Sequence, residues 1–361
     1  MRNKILFIIS IQLLLITNIG LSQKISLEKD LQIESQEVGY IHDLGIDQYG
    51  NIFVSDIIGG DIKQFLPTGT LEKKIGKKGR GPGELQIPRS FSIIGNTLYI
   101  FDNQLLRISV FDVRNETEIL DTITLKKTHH GTPDQLIALD STRFLGVYST
   151  AYSNRNLNEK KEVVVALLNG EGNIIQDFIM VKPAKEYLVS SRGQSFGVGP
   201  KPFGKQPIFQ IDDSRQSFYY GDTNKLEIFK YSLDKDSIKK IVHKNVKREA
   251  VNKNDLIVES KKLGYNSREI DSIINKLDGS NFPVYDWFVI DDKSRIWVAV
   301  NTKDRQHYSL RIYDQEGDLV DQTTLPKSVE LKEVSDGYTY GIREDEEGVQ
   351  SVVRYKVNSN S

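Results

Sequence analysis

The 361-residue chain contains no cysteine, which excludes disulfides, thiolate zinc sites, a cysteine nucleophile and a lipid-modified N-terminal cysteine. It also lacks charge of one dominant sign. Its 48 Lys and Arg stand against 49 Asp and Glu, so a nucleic-acid binder of the usual strongly basic kind is excluded. No apolar run approaches the ~20 residues that a membrane-spanning helix needs. The longest, Ile5–Ile16, is about a dozen residues and is interrupted by Ser10 and Gln12. With 38% hydrophobic and 27% charged residues, the composition is that of neither a disordered nor an integral membrane protein.

What is present begins with an address. Arg2 and Lys4 precede the apolar run, and Gly20 and Ser22 follow it at the spacing a signal peptidase requires. The pattern predicts a signal peptide over residues 1–22, a mature chain starting at Gln23 and export without a lipid anchor. The destination is periplasmic or extracellular. Removing the leader lowers the basic count to 46 against 49 acidic residues.

The rest of the chain repeats. Asp47-Gln-Tyr-Gly-Asn-Ile-Phe-Val-Ser-Asp56 reads as a strand end, a tight turn and a β-rich strand. Ile93-Ile-Gly-Asn-Thr-Leu-Tyr-Ile-Phe-Asp102 and Asp291-Asp-Lys-Ser-Arg-Ile-Trp-Val-Ala-Val300 repeat it, and weaker copies start at Leu139, Asp213 and Glu333. Most copies lead into a further alternating strand and a second turn, as in Ile62–Gly69, Ile108–Asp112, Leu226–Tyr231 and Leu310–Gly317. Period-two alternation punctuated by Asp, Gly and Asn is the signature of antiparallel hairpins. Six such units predict an all-β fold, a single six-bladed β-propeller of four-stranded antiparallel blades over residues 23–357, with 358–361 as a tail. The last unit holds only three strand-like runs. The alternating Lys24–Glu34 segment is expected to supply its fourth strand and close the ring. Between the fourth and fifth units, about residues 245–277, Leu256, Ile257, Leu263, Ile270, Ile273, Ile274 and Leu277 follow helical spacing, and Asn266 with Glu269 reads as a capping box. Two short helices inserted in one domain are expected there.

Gly79-Arg-Gly-Pro-Gly-Glu-Leu-Gln-Ile-Pro88, with the Asp47–Asp56 unit before it, resembles the NHL-like six-bladed β-propellers, in particular an exported bacterial group with a Gly-Pro-Gly-Glu loop. Phe282-Pro-Val-Tyr285 leading into Val289–Val298 after a helical insert is similar to the same group. Many of its members look like lipoproteins, from which this chain departs. The resemblance implies the fold but hardly an activity, because propellers host binding modules, lactonases, lyases and scaffolds.

Long connections between blades gather on one face: Lys77–Arg89, Lys126–Gln135, Lys182–Pro207, the helical insert and Leu325–Ser328. That face is expected to be the functional one. Its candidate ligand-binding residues are Arg80, Arg89, His129, His130, Arg192, Lys201, Phe203 and Trp287, with Ser191–Gly204 read as the longest irregular stretch. Counting five residues back from each repeated turn gives His42, Pro88, Asp134, Ile208, Asp286 and Ser328 at the channel mouth. Among these, His42, Asp134 and Asp286 fall on alternate blades, a donor set suited to Ca, Mn or Zn. His129 and His130 are candidates for a further ligand or a base. No tight ligand spacing accompanies the set, so no cofactor is firmly indicated.

Other motifs carry less. The Gly-Pro-Gly-Glu loop lacks the Lys-Ser/Thr and the helix that phosphate binding requires, and reads as a structural turn. Gly193-Gln-Ser-Phe-Gly197 spells a nucleophile elbow without its strand–turn–helix context. The sialidase box and the WD and kelch repeats are absent. The expectation is a binding or scaffold module for a protein, peptide or glycan, monomeric and without membrane insertion. A metal-dependent lactonase- or lyase-like enzyme at the channel mouth is the alternative.

Overall fold

The computed structural model describes residues 25–114, 119–149, 162–181, 186–192 and 195–359. The expected signal peptide and the end of the tail lie outside these residues. Six four-stranded antiparallel sheets are arranged as the blades of a six-bladed β-propeller. Blade 1 comprises Ile41–Ile46, Ile52–Asp56, Asp61–Phe65 and Leu71–Ile75, and blade 2 Pro88–Ile94, Thr97–Asp102, Arg107–Asp112 and Ile119–Thr124. Blade 3 comprises Gln135–Ala138, Arg143–Ser149, Val163–Asn169 and Ile174–Val181, and blade 4 Pro207–Ile211, Ser217–Asp222, Leu226–Ser232 and Ser237–Lys244. Blade 5 holds Tyr285–Ile290, Ile296–Val300, His307–Tyr313 and Leu319–Pro326.

Blade 6 takes Val329–Ser335, Tyr338–Glu344 and Gln350–Ser359 from the C-terminus and its outermost strand, Ile25–Ile33, from the N-terminus. The closing strand runs from Ile25 opposite Ser359 to Ile33 opposite Val352. The Ile25 amide also donates to Asp321 Oδ1 of blade 5 (3.0 Å), and Arg354 joins Asp30 (2.9 Å) and the Pro67 carbonyl of blade 1 (2.8 Å). Both neighbours of blade 6 are thereby held to the closure.

Burial follows position in the blade. The second strands Ile52–Asp56 and Ile296–Val300 are buried at every residue, whereas the outer strand Leu71–Ile75 buries only Ile75. A second strand has a neighbouring blade on each face, so both sides must be apolar or satisfied and the alternation fades. The repeated turns at Asp47 and Asp291 are Asx turns. Asp47 Oδ1 accepts from the amides of Tyr49 and Asn51 (both 2.9 Å), and Asp291 Oδ1 from Lys293 and Arg295 (3.0 and 2.7 Å).

The insert forms helices Lys253–Lys262 and Ser267–Leu277, each begun by a complete capping box: Asn252 with Asp255, and Asn266 with Glu269. Each cap contributes about 1 kcal/mol. The helices start later than 245 because the chain first bridges Ala250 to Asn281. Ile273 and Leu277 bury with Val251, Leu256 and Phe282 in a satellite core, against which Leu188 and Phe203 pack. That partner overturns one expectation. Ser191–Gly204 is not an irregular stretch, since Tyr187–Arg192 and Ser195–Pro200 pair as a hairpin. Tyr265 of the insert donates to its Pro200 carbonyl (2.7 Å). A strand, not a helix, follows Ser195, so the elbow reading of Gly193–Gly197 has no structural basis.

Candidate functional site

The innermost strands enclose a channel whose cavity is about 350 Å³ and to which every blade contributes. His42 and Asp43 enter from blade 1, Arg89 and Ser90 from blade 2, and Asp134 and Gln135 from the start of blade 3. Ile208–Gln210 enter from blade 4, Asp286 and Trp287 from blade 5, and Glu330 and Lys332 from blade 6.

Consecutive residues face one lumen because the inner strands of blades 1, 2, 5 and 6 each carry a register shift. A bulge sets two residues against one and re-aims their side chains. Hence the fixed count back from the turn fails in two blades: Arg89 and Glu330, rather than Pro88 and Ser328, reach the channel. Asp43, Glu330 and Lys332 escaped sequence reasoning for the same reason. Alternating runs interrupted next to a charged pair, as in Ile41-His-Asp-Leu44, are the signal that marks such bulges.

The lumen is electrostatically mixed. Burial, aided by Arg89 and Lys332, pushes the His42 imidazole down to about 4, and its Nδ1 has no hydrogen-bond partner. Burial pushes Asp43 up to about 6, against the pull of Lys332 and of the Phe91 and Leu44 amides (3.2 and 3.0 Å). Lys332 pairs with Glu330 at 2.6 Å. Burial disfavours its charge, but Glu330 and Asp43 outweigh that and hold the ammonium above its ordinary range. Trp287, 7% exposed, has an unpartnered Nε1 and meets Tyr308 edge to face at 5.8 Å.

His42, Asp134 and Asp286 all line the channel, but their ligand atoms are not gathered within 4.8 Å of one another. Asp286 is already engaged. Its Oδ2 accepts from the Tyr308 hydroxyl (2.8 Å) and its Oδ1 from Asn301 Nδ2 (2.7 Å). Asn301 Oδ1 in turn accepts from Lys327 Nζ (2.6 Å). Burial raises Asp286 and lowers Lys327, so the carboxyl and the amine are displaced toward each other across the amide that joins them.

Asp286 is also a corner. A cleft of about 960 Å³ opens from it between blades 5 and 6 and the first helix of the insert, lined by Phe282, Arg305, Tyr308 and Lys327. Its rim carries the exposed Asp345, Glu346 and Glu347. Arg305 lies 4.4 Å and Lys327 5.2 Å over the Phe282 ring. A smaller cavity of about 270 Å³ shares His42, Trp287 and Lys332 with the channel and Tyr308 and Lys327 with the cleft, linking the two.

The remaining candidates scatter. Phe203 lines the cleft and packs on Phe282 with ring centroids 4.5 Å apart. Lys201 is paired with Glu186 at 2.9 Å. Arg80 is exposed on the Gly-Pro-Gly-Glu loop, which is tied to itself and to blade 2: Glu84 accepts from the Gly81 amide (2.7 Å), and Arg107 donates to the Arg80, Gly81 and Glu84 carbonyls. A Cβ at Gly79 would lie 2.0 Å from the Glu84 carboxylate, so a side chain there would displace Glu84 from the loop. His129 and His130 stand away from the channel lining and beside Asp177. The Arg192 side chain lies outside the described residues.

Residues 25–194, from the closing strand through blade 3 to the first strand of the hairpin after it, match the model of the DUF5128 family, a 6-bladed beta-propeller. No curated protein matches the chain. Among solved structures, a Bacteroides fragilis protein aligns with a TM-score of 0.55 at 15% identity, covering 96% of this chain and 98% of its own. A member of the duf4221 family from Bacteroides vulgatus aligns with a TM-score of 0.58 at 10% identity, covering 94% and 100%. At such identities the likeness is one of fold. No helix among the described residues is long and apolar enough to cross a membrane.

Proposed function

We propose that this is an exported binding module that takes a peptide segment along the cleft, with one end of the segment in the channel mouth. The observation that carries the reading is the linked path from channel to cleft with Asp286 at its corner. Along it, buried polar atoms at His42 Nδ1 and Trp287 Nε1 await partners, and cations over an aromatic floor face an acidic rim. Alternating charge and aromatic surface suits a peptide's side chains and carboxylate better than a neutral sugar. Export rests on the tripartite Met1–Ser22 leader.

Trp287 supplies the test, because the chain has only two tryptophans and the other, Trp297, is fully buried with its Nε1 on Asp291 (2.9 Å). Titrating dipolar peptides and glycans against intrinsic fluorescence is expected to give a saturable response to peptides. The double change Arg305→Ala and Lys327→Ala should weaken it at least tenfold. Glycan binding alone, or variants that bind as the wild type does, would reject the reading.

A second reading follows from the Asp286–Asn301–Lys327 relay. A buried carboxyl whose proton is held more tightly and an amine whose proton is held less tightly, joined through one amide, favour general acid–base work, here hydrolysis or elimination on an ester or lactone. A metal-dependent form would need His42, Asp134 and Asp286 to approach one another. Turnover lost in Asp286→Asn without loss of peptide binding would favour this chemistry.

A further inference from the structure

A triad remote from the channel satisfies what the channel residues do not. Among the described residues, the one group of three whose ligand atoms all lie within 4.8 Å is His129, His130 and Asp177. Asp177 Oδ2 lies 3.0 Å from His130 Nε2 and 3.7 Å from His129 Nε2. Four donors about 2.05 Å from a tetrahedral ion are spaced about 3.3 Å apart, and the two separations bracket that edge.

Local structure explains the convergence. Neighbouring residues in a strand point to opposite faces, but these two occupy a tight turn. Thr128 and Gly131 exchange backbone hydrogen bonds (2.9 and 3.0 Å), Thr128 Oγ1 accepts from the His130 amide (3.2 Å), and Gly131 takes φ 94°. The two imidazoles therefore lie on one side, with ring centroids 3.8 Å apart. Asp177 belongs to the outermost strand of blade 3, at a register shift: Val165 pairs with Ile179 and Ala166 with Asp177. The extra residue, Phe178, packs against Phe218 and Tyr231 of blade 4 (6.2 and 5.1 Å), which leaves Asp177 facing the turn. Beneath them sits Tyr148. It is 1% exposed, its ring lies 5.8 Å from His130, and its hydroxyl has no hydrogen-bond partner.

We propose that His129, His130 and Asp177 bind one divalent cation of the imidazole-preferring class, Zn, Cu or Ni, with a fourth position open to water or a ligand group. Two imidazole nitrogens and one carboxylate oxygen disfavour Ca and Mg, which take oxygen ligands. A simple His–Asp hydrogen bond needs one imidazole, whereas here both Nε2 atoms approach the same oxygen. The ion would tie the loop that leads into Asp134 to the far edge of the same blade.

The test is metal binding by the mature, unchelated chain, using Zn²⁺ for calorimetry and elemental analysis and Co²⁺ for visible absorption. The expected result is one ion per chain, a tetrahedral Co²⁺ spectrum and a dissociation constant raised at least tenfold in both Asp177→Asn and His129→Ala. These side chains are exposed, so the variants keep the fold, as circular dichroism would check. His42→Asn and Asp286→Asn should bind as the wild type does. Absence of saturable binding, binding indifferent to Asp177→Asn and His129→Ala, or binding lost in His42→Asn would each overturn the proposal.

Discussion

Blades 1 and 5 share a register and spend it differently. In each, the inner strand bulges so that two residues oppose one: His42 and Asp43 against Ser55, Asp286 and Trp287 against Ala299. The next position on the second strand is Asp56 in blade 1 and Val300 in blade 5. Asp56 is a latch. It accepts from the amides of Tyr40, Ile58 and Gly59 (3.3, 3.0 and 3.0 Å) and pairs with the buried Lys63 at 2.5 Å. Burial alone would raise its carboxyl, but these donors hold it below the ordinary range. Asp102 does the same in blade 2 for Gln86, Ile87, Gln104 and Leu105. With Val300 in that place, blade 5 has no carboxylate at the latch position, and its following turn is held by Asp304, which accepts from the Gln306 and His307 amides (2.7 and 3.1 Å). The residue after Val300, Asn301, instead links Asp286 to Lys327. Where the latch is kept, the position serves stability; where it is lost, neighbouring charges are free to form a site.

Removing the latch should be the largest effect. Asp56→Ala leaves the buried Lys63 with only the more distant Asp61 (3.9 Å) and three amides unmet, and a loss of about 3 kcal/mol in urea unfolding is expected. A loss under 1 kcal/mol would mean that the latch is not structural. Asn301→Ala should cost less, about 1–3 kcal/mol, while uncoupling Asp286 from Lys327 and weakening whatever the cleft binds. If it proves as damaging as Asp56→Ala, the contrast between the blades disappears.

The smallest effect is one of sign. In the unfolded chain His42 gains its proton below its ordinary 6.5, but in the fold only below about 4, so its contribution to stability is lost as pH falls between them. Asp43 runs the other way. Its folded value near 6 lies above the ordinary 3.8, so the fold holds a proton that the unfolded chain has released, and stability is gained as pH falls through that window. Relative to the wild type, His42→Asn should therefore gain stability and Asp43→Asn lose it between pH 6.5 and 4, read from urea midpoints. Shifts of the same sign would show that the two do not oppose each other.

Much of this was legible in particular residues. Asp47 and Asp291 announced their turns through the Asx chemistry that they perform, and Asn266 with Glu269 announced a helix start. The alternating segment Lys24–Glu34 foretold its place as the outermost strand of the last blade. These are local matters, decided within a few residues by hydrogen bonding and alternation. Asn252 with Asp255 formed a second capping box that apolar spacing alone did not reveal.

The site was less legible because its residues meet across the ring. His42, Asp134 and Asp286 could be assigned to the channel by counting, but not their mutual distances. A bulge moves a side chain by one position without changing the composition around it. Asp177 could not be joined to His129 and His130, since 47 residues separate it from His130. The sequence by itself determined the strands of the blades, the Asx turns, the Asn266 helix start and the closure, because each is set by short-range periodicity and capping. Only the tertiary structure decided which bulged pairs share the lumen, that Asn301 bridges Asp286 and Lys327, and that two histidines converge on one carboxylate. Those are distances between blades, and they are fixed by how six sheets pack around one axis.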